Sequence, residues 1–159
     1  MKPLILIAAG LQEIRLLARI LEKRFDIAVA LDGEKTIFAA RQRKPDVILL
    51  DERLRLADGG AVCPVLRYDH PETQEIPVLF LLDSGAYRGR AREEGAVDYL
   101  HKPFEAEEVL SRVQTFASLN RSGHSPGKPG SALPDGGADR SSASRKMGWP
   151  GVSPGIARR

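Results

Sequence analysis

The sequence has few of the residues from which covalent or metal-bound frameworks are built. Cys63 is the only cysteine among 159 residues, so an intrachain disulfide and a cysteine-based metal cluster are both excluded. We expect Cys63 to be a small buried apolar residue. The histidines, His70, His101 and His124, are far apart in the sequence and stand in unlike contexts. They do not suggest a metal site.

Long hydrophobic runs are also missing. No apolar run approaches the roughly 18 residues that a membrane-spanning helix requires. The apolar run from Leu4 to Ala9, close to the amino terminus, is too short for a convincing signal peptide. The sequence therefore predicts a cytoplasmic protein with no membrane partner.

The composition changes abruptly near residue 120. From Asn120 to Arg159, eight Gly, five Pro and seven Ser make up half of the residues, and such a stretch cannot bury enough apolar surface to offset its ordering entropy. We predict one folded domain over residues 1–119 and a disordered, basic tail over 120–159. Two origins of the tail stay open: a disordered extension of a single-domain protein, or a truncated or frame-shifted end.

Charge divides at the same place. The tail holds seven Lys and Arg against two Asp, which leaves 17 basic and 19 acidic residues for 1–119. The basic charges of the tail are scattered and its one aromatic residue, Trp149, stands alone. This pattern disfavours nucleic acid as a partner.

Five apolar runs of strand length alternate with segments of helical periodicity. Five βα units in succession predict an α/β fold, a five-stranded doubly wound parallel sheet between two helical layers. The predicted strands are Leu4–Ala8, Ile27–Ala30, Val47–Leu50, Val78–Leu82 and Val97–Leu100. The predicted helices lie between Gly10 and Phe25, over Gly33–Arg43, from Asp58 through Leu66, weakly from Ser84 to Glu94, and around Val109–Phe116.

Two charged residues follow strands of this predicted sheet. Asp51 ends the third strand and Lys102 follows the fifth. Because functional clefts of such sheets lie beyond the carboxyl ends of the strands, we expect both residues at one edge, with Asp51 exposed there.

Several short motifs together carry a resemblance to a known family. They are Pro45–Asp51, Asp58–Gly59, Ile76–Val78, Gly95–Tyr99 and Lys102–Phe104. With this set, residues 2–119 resemble the receiver domain of two-component response regulators, which has a flavodoxin-like three-layer fold.

The resemblance implies a role for each motif residue. Asp51 would be the phosphoacceptor, attacking the phosphohistidine of a sensor histidine kinase or phosphotransfer protein. Lys102 would contact the phosphoryl group, aimed by a cis bond to Pro103. The family also uses Mg²⁺ as cofactor. No separate catalytic activity is expected.

Two members of the family's site are missing from the sequence. The acidic pair that holds Mg²⁺ after the first strand is replaced by Ala9 and Gly10, which offer no side-chain oxygen; only Asp51 remains of the metal site, and the binding of Mg²⁺ is doubtful. We expect Glu13, the nearest acid, to face solvent. Leu82 stands where the family has Thr or Ser, so Tyr99 at the aromatic switch position should serve mainly in packing.

Arg53 stands two residues after the predicted phosphoacceptor. Its guanidinium would partly replace the lost metal, pair with the unphosphorylated Asp51, or simply be solvated in a loop; the sequence leaves these alternatives open. Arg55, in place of the usual proline, adds further positive charge.

The favoured function is a receiver domain in a phosphorelay, with Asp51 as an acceptor whose phosphorylation is weak or vestigial. The alternative is a phosphorylation-independent pseudo-receiver that binds a partner protein through its fourth helix, fifth strand and fifth helix. A flavodoxin-like cofactor carrier is disfavoured, because the loop from Ala8 to Gln12 has one glycine and no hydroxyl with which to cradle a phosphate.

Overall fold

A computed structural model describes residues 2–83 and 94–121. The predicted fourth helix and the predicted tail beyond Arg121 lie outside the described residues, so the last described helix is named α4. The strands are β1 (Leu4–Ala8), β2 (Asp26–Ala30), β3 (Val47–Asp51), β4 (Val78–Leu82) and β5 (Asp98–His101). The helices are α1 (Leu11–Leu21), α2 (Gly33–Arg43), α3 (Val62–Pro64, continued by a π-helical turn, Val65–Asp69) and α4 (Ala106–Arg121).

The five strands form one parallel sheet in the order β2-β1-β3-β4-β5. The order reverses between β1 and β3, as the doubly wound prediction requires, and this crevice is where such sheets place their ligands. The predicted α/β fold is confirmed.

Each face of the sheet has its own hydrophobic core. One core packs α1 and α4 against the sheet through Leu17, Leu21 and Val113, all fully buried. The other packs α2 and α3 against the opposite face through Ala40 and Val62. The strands β3 and β4 are buried along their whole length, which explains their unbroken apolar sequences.

The element boundaries differ from the predictions at two helices. The first helix ends at Leu21, and a turn carries Phe25, 2 % exposed, into the core beyond it. The third begins at Val62 rather than at Asp58, because a turn comes first: Gly59 has a φ of 87° and the Asp58 side chain accepts a hydrogen bond from the Gly60 N–H. The strands shift by at most one residue.

The register brings the site residues to one edge. Asp51 pairs with Leu81 across β3 and β4, and Leu82 pairs with His101 across β4 and β5. The Lys102 N–H then donates to the Leu82 carbonyl at 2.9 Å. Lys102 is thereby held two strands away from Asp51 at the same sheet edge. No helix within the described residues is long and apolar enough to cross a membrane.

Candidate functional site

Asp51 is the last residue of β3, and its burial corrects the prediction that it is exposed. Only 3 % of its surface reaches solvent. The strand end does lie at the edge of the sheet, but the side chains of Arg53 and Lys102 cover the carboxylate from the solvent side. The sequence motif predicts the position of Asp51 at the end of β3, but it does not predict which side chains cover the carboxylate.

The Asp51 carboxylate accepts four hydrogen bonds. Its Oδ1 accepts from the Arg53 backbone N–H at 2.9 Å and from the Arg53 Nε at 3.1 Å. Its Oδ2 accepts from the Arg53 Nη2 at 3.0 Å and from the Lys102 Nζ at 3.2 Å. Two carboxylate oxygens offer about four lone-pair positions, so the whole accepting capacity of Asp51 is in use. Of the three alternatives for Arg53, the structure shows the ion pair.

Lys102 enters the site from the loop after β5. Its bond to Pro103 is cis, as predicted, and its side chain is 18 % exposed. Besides Asp51, its Nζ contacts the carboxylates of Asp83 at 3.1 Å and Glu13 at 3.4 Å. One half-buried cation thus joins three acids: Asp51 at the end of β3, Glu13 in the first turn of α1 and Asp83 directly after β4.

The prediction that Glu13 faces solvent is wrong. Its carboxylate turns back from the first turn of α1 towards Lys102 and lies 3.9 Å from the Arg53 Nη2. A Cβ atom on Gly10 would lie 2.8 Å from the Glu13 Oε1. The missing side chain at position 10 is therefore the space that Glu13 fills, and an acid from the helix lies near the place where the family carries its acidic pair.

Asp83 is the site residue to which the sequence assigned no role, although the segment Leu82 to Ser84 was expected at this edge of the sheet. Asp83 directly follows β4. Its carboxylate lies 3.6 Å from the Arg53 Nη1 and also contacts the Lys102 Nζ. Its position directly after a strand could have indicated a role, because Asp51 and Lys102 also lie at the carboxyl ends of their strands. The neighbouring Leu82 is 1 % exposed and belongs to the core; Tyr99 packs against the same core.

Burial and charge act against each other on Asp51. Burial alone would raise the Asp51 pKa, but the hydrogen bonds from Arg53 and the charge of Lys102 outweigh it and lower the pKa below 3.8. Burial would likewise lower the Lys102 pKa, and the hydrogen bond to Asp83 and the charge of Asp51 raise it instead. The hydrogen bond to Asp51 raises the Arg53 pKa. Asp51, Arg53 and Lys102 are therefore all charged at neutral pH.

The side chains present do not fit Mg²⁺. A hard cation needs several oxygen ligands, yet both oxygens of Asp51 are occupied and Ala9 and Gly10 supply none. Glu13 and Asp83 are each paired with Lys102 and Arg53, whose positive charges oppose a further cation. Among residues 2–83 and 94–121, no group of three or more His, Cys, Asp or Glu side chains could hold a metal ion.

Comparisons with known proteins agree with this geometry. Residues 10–114 match the family described as the response regulator receiver domain. The chain is 43 % identical over 94 residues to the DNA-binding dual master transcriptional regulator RpaA of Synechocystis, covering 58 % of this chain and 39 % of that protein. It is 35 % identical over 106 residues to the response regulator PleD of Caulobacter vibrioides, covering 65 % of this chain and 23 % of that protein.

Solved structures show the same fold. The receiver domain of a Francisella response regulator superposes with a TM-score of 0.64 at 26 % identity, covering 74 % of this chain and 98 % of that one. NtrX from Brucella abortus superposes with a TM-score of 0.67 at 25 % identity, covering 77 % and 28 %. The chain spans well under half the length of RpaA and PleD.

Receiver domains interact with histidine kinases or phosphotransfer proteins, generally bind Mg²⁺, and are generally non-catalytic themselves. The comparisons do not favour the phosphorylation-independent alternative over this family's function. The fold, the strand-end aspartate with its lysine, and the family match over residues 10–114 agree: the chain belongs to the response regulator receiver family and is a receiver domain of two-component signal transduction.

Proposed function

We propose that Asp51 accepts a phosphoryl group from a sensor histidine kinase or phosphotransfer protein, and that Lys102 holds the transferred group. The observation that carries this proposal is the contact of the Lys102 Nζ with the Asp51 Oδ2 at 3.2 Å. This contact joins the loop after β5, which contains the cis Lys102–Pro103 bond, to the end of β3. A lysine so placed lies beside the oxygen that would attack.

The transfer needs one nucleophile and one fixed cation. An Asp51 oxygen attacks phosphorus, the new O–P bond forms as the P–N bond to the partner's histidine breaks, and the imidazole nitrogen leaves with the electron pair and takes up a proton. The carboxylate is ionised at neutral pH, since its pKa is lowered, so no base is required. The Lys102 ammonium offsets charge on the phosphoryl oxygens during and after transfer.

The remaining finer assignments belong to the same proposal. The domain performs no chemistry besides accepting this group, and it works in the cytoplasm. A partner contacts the face that includes β5 and α4, where Tyr99 packs edge-on against His101 with ring centres 5.3 Å apart. The predicted fourth helix of that face lies outside the described residues.

Phosphorylation tests the proposal directly. The full chain is incubated with acetyl phosphate or with a phosphorylated histidine-containing phosphotransfer protein, with and without Mg²⁺, and the product is analysed by intact mass and by cleavage with hydroxylamine. We expect one acid-stable, hydroxylamine-labile adduct, which Asp51→Asn abolishes.

The matched control is Asp58→Asn. Asp58 is an exposed turn residue whose Oδ1 accepts from the Gly60 N–H at 2.8 Å, a bond that an asparagine retains. This variant should be labelled like the unmodified protein. The absence of an adduct under every condition, or an adduct that persists in Asp51→Asn, would refute the proposal.

A further inference from the structure

The site holds a cation where this family generally uses a metal ion. Resting on the proposed function, we infer that the Arg53 guanidinium takes the place of the divalent metal: it releases Asp51 when phosphate arrives and then binds the phosphoryl oxygens, so that transfer to Asp51 does not depend on Mg²⁺.

The first step of the argument is the occupancy of Asp51. All four lone-pair positions of its carboxylate accept hydrogen bonds, three of them from Arg53. Attack on phosphorus requires at least one free lone pair, so one donor has to leave. The backbone N–H of Arg53 belongs to the turn directly after β3, and Lys102 is also held by Glu13 and Asp83. The Arg53 side chain, 56 % exposed, is the donor that is able to move.

The second step is where the guanidinium goes. Its Nη1 already lies 3.6 Å from Asp83 and its Nη2 3.9 Å from Glu13. These two acids remain within reach of the guanidinium after it leaves Asp51 and keep it close to the site. A planar guanidinium binds two phosphoryl oxygens at once, and its positive charge would offset the negative charge that a metal ion would otherwise neutralise.

The third step is charge. The cluster contains three carboxylates, Asp51, Glu13 and Asp83, against two cations, Lys102 and Arg53. Phosphorylation converts the singly charged Asp51 carboxylate into an acyl phosphate that carries close to two negative charges near neutral pH, so the cluster gains about one negative charge. Without a metal, Arg53 and Lys102 are the only cations in contact with Asp51 among the described residues, so the phosphorylated state depends on both.

The test compares initial rates of Asp51 labelling by acetyl phosphate in the full chain, in EDTA and in Mg²⁺. We expect the unmodified protein to be labelled at the same rate in both. Arg53→Met keeps the length of the side chain and removes its charge, and we expect it to lower the rate roughly tenfold or more in either buffer. Arg53→Lys should restore part of the rate.

The control is Arg55→Met, which removes an arginine from the same loop. The Arg55 Nη1 lies 4.0 Å from the Glu94 Oε2, and the Arg55 side chain makes no contact with Asp51. Its rate should match that of the unmodified protein. Labelling that requires Mg²⁺, or a rate that Arg53→Met leaves unchanged or raises, would overturn the inference while leaving Asp51 as the acceptor. Absence of any adduct would refute the proposed function itself, and the phosphoryl-binding role of Arg53 with it.

A second measurement does not need phosphate transfer. Mn²⁺ is titrated into the full chain and free Mn²⁺ is followed by its electron paramagnetic resonance signal. We expect Asp51→Asn and the unmodified protein to leave the same amount of Mn²⁺ free. Binding by the unmodified protein that Asp51→Asn removes would show a working metal site and overturn the inference.

Discussion

Removing the two cations from Asp51, one at a time and together, tests whether the cluster holds the fold as well as the phosphoryl group. The variants are Arg53→Met, Lys102→Met and the double variant. Methionine retains the apolar stem of each side chain and removes the charge. Asp51 is 3 % exposed, and the methionine stems still cover its carboxylate, so we expect little bulk water to reach it and replace the lost charges.

The size of the effect follows from how many partners remain. Breaking a buried ion pair completely costs about 3–5 kcal/mol, because a buried charge is left without compensation. Either single variant leaves one cation on Asp51, and the Arg53 side chain is 56 % exposed and screened by solvent, so each single change should cost about 1–2 kcal/mol. The double variant should cost about 3–5 kcal/mol, more than the sum of the singles, since each cation covers for the loss of the other.

The pKa of Asp51 determines how the free energy of unfolding of each variant changes with pH. In the unmodified protein the Asp51 pKa is lowered from 3.8, so this group contributes stability above pH 3.8 that is lost as the pH falls through the folded pKa. In the double variant, the Arg53 backbone hydrogen bond is the only lowering influence that remains. Because burial is the largest single influence on the Asp51 carboxyl, we expect its pKa to be raised there instead of lowered. The ionised carboxylate then destabilises the fold at neutral pH, and protonation relieves this.

Urea unfolding of the full chain at pH 7.0 and pH 4.5 measures both effects. The free-energy difference between the unmodified protein and the double variant should be larger at pH 7.0 than at pH 4.5. Arg55→Met is the control and should differ little at either pH. Strict additivity of the single variants, or a difference that grows on acidification, would refute the reasoning.

Three further predictions concern residues outside the site. Gly33→Ala should destabilise the domain by about 1–3 kcal/mol in urea unfolding, because a Cβ there would come within 2.6 Å of the Arg55 backbone oxygen; an unchanged midpoint would contradict this close packing. Arg67→Met should cost about 2 kcal/mol, because Arg67 is 4 % exposed and donates to two backbone carbonyls, and full stability would contradict it. Burial raises the Cys63 pKa to about 12, so its thiol should react with a disulfide reagent at pH 8 only after denaturant is added; rapid reaction of the native protein would contradict it.

The sequence predicted the fold because the evidence for it is local and repeated. Each central strand is an unbroken apolar run, and β3 and β4 are buried on both faces for that reason. Helix ends were less accurate: the Asp58 to Gly60 segment has the composition of a helix start as well as of a turn, and the positive φ of Gly59 decides for the turn. Asp-Gly and Gly-Gly dipeptides are turn signals, so more weight on Gly59 and Gly60 would have moved the predicted helix start beyond them.

The site was predicted in its parts and not in its contacts. Asp51 and Lys102 could be placed at one edge because strand ends locate them. The inward turn of Glu13 could not, because it depends on the open space over Gly10 and on the cation that reaches that space from β5. Helical periodicity assigns a direction to the Cβ of a residue, whereas a long side chain in the first turn is free to bend back toward charge.

The presence of Arg53 at Asp51, together with the loss of the acidic pair that holds the metal, also affects how the domain would signal. Leu82 is buried in the core where the family has a hydroxyl, so the phosphoryl group has no hydroxyl at that position to draw inward. Arg53 is the part of the site that reaches the surface, with 56 % of its side chain exposed. If phosphorylation draws Arg53 away from the Asp51 carboxylate, the change visible to a partner lies in the loop after β3. A partner that discriminates the two states should therefore lose that discrimination in Arg53→Met while still binding the domain.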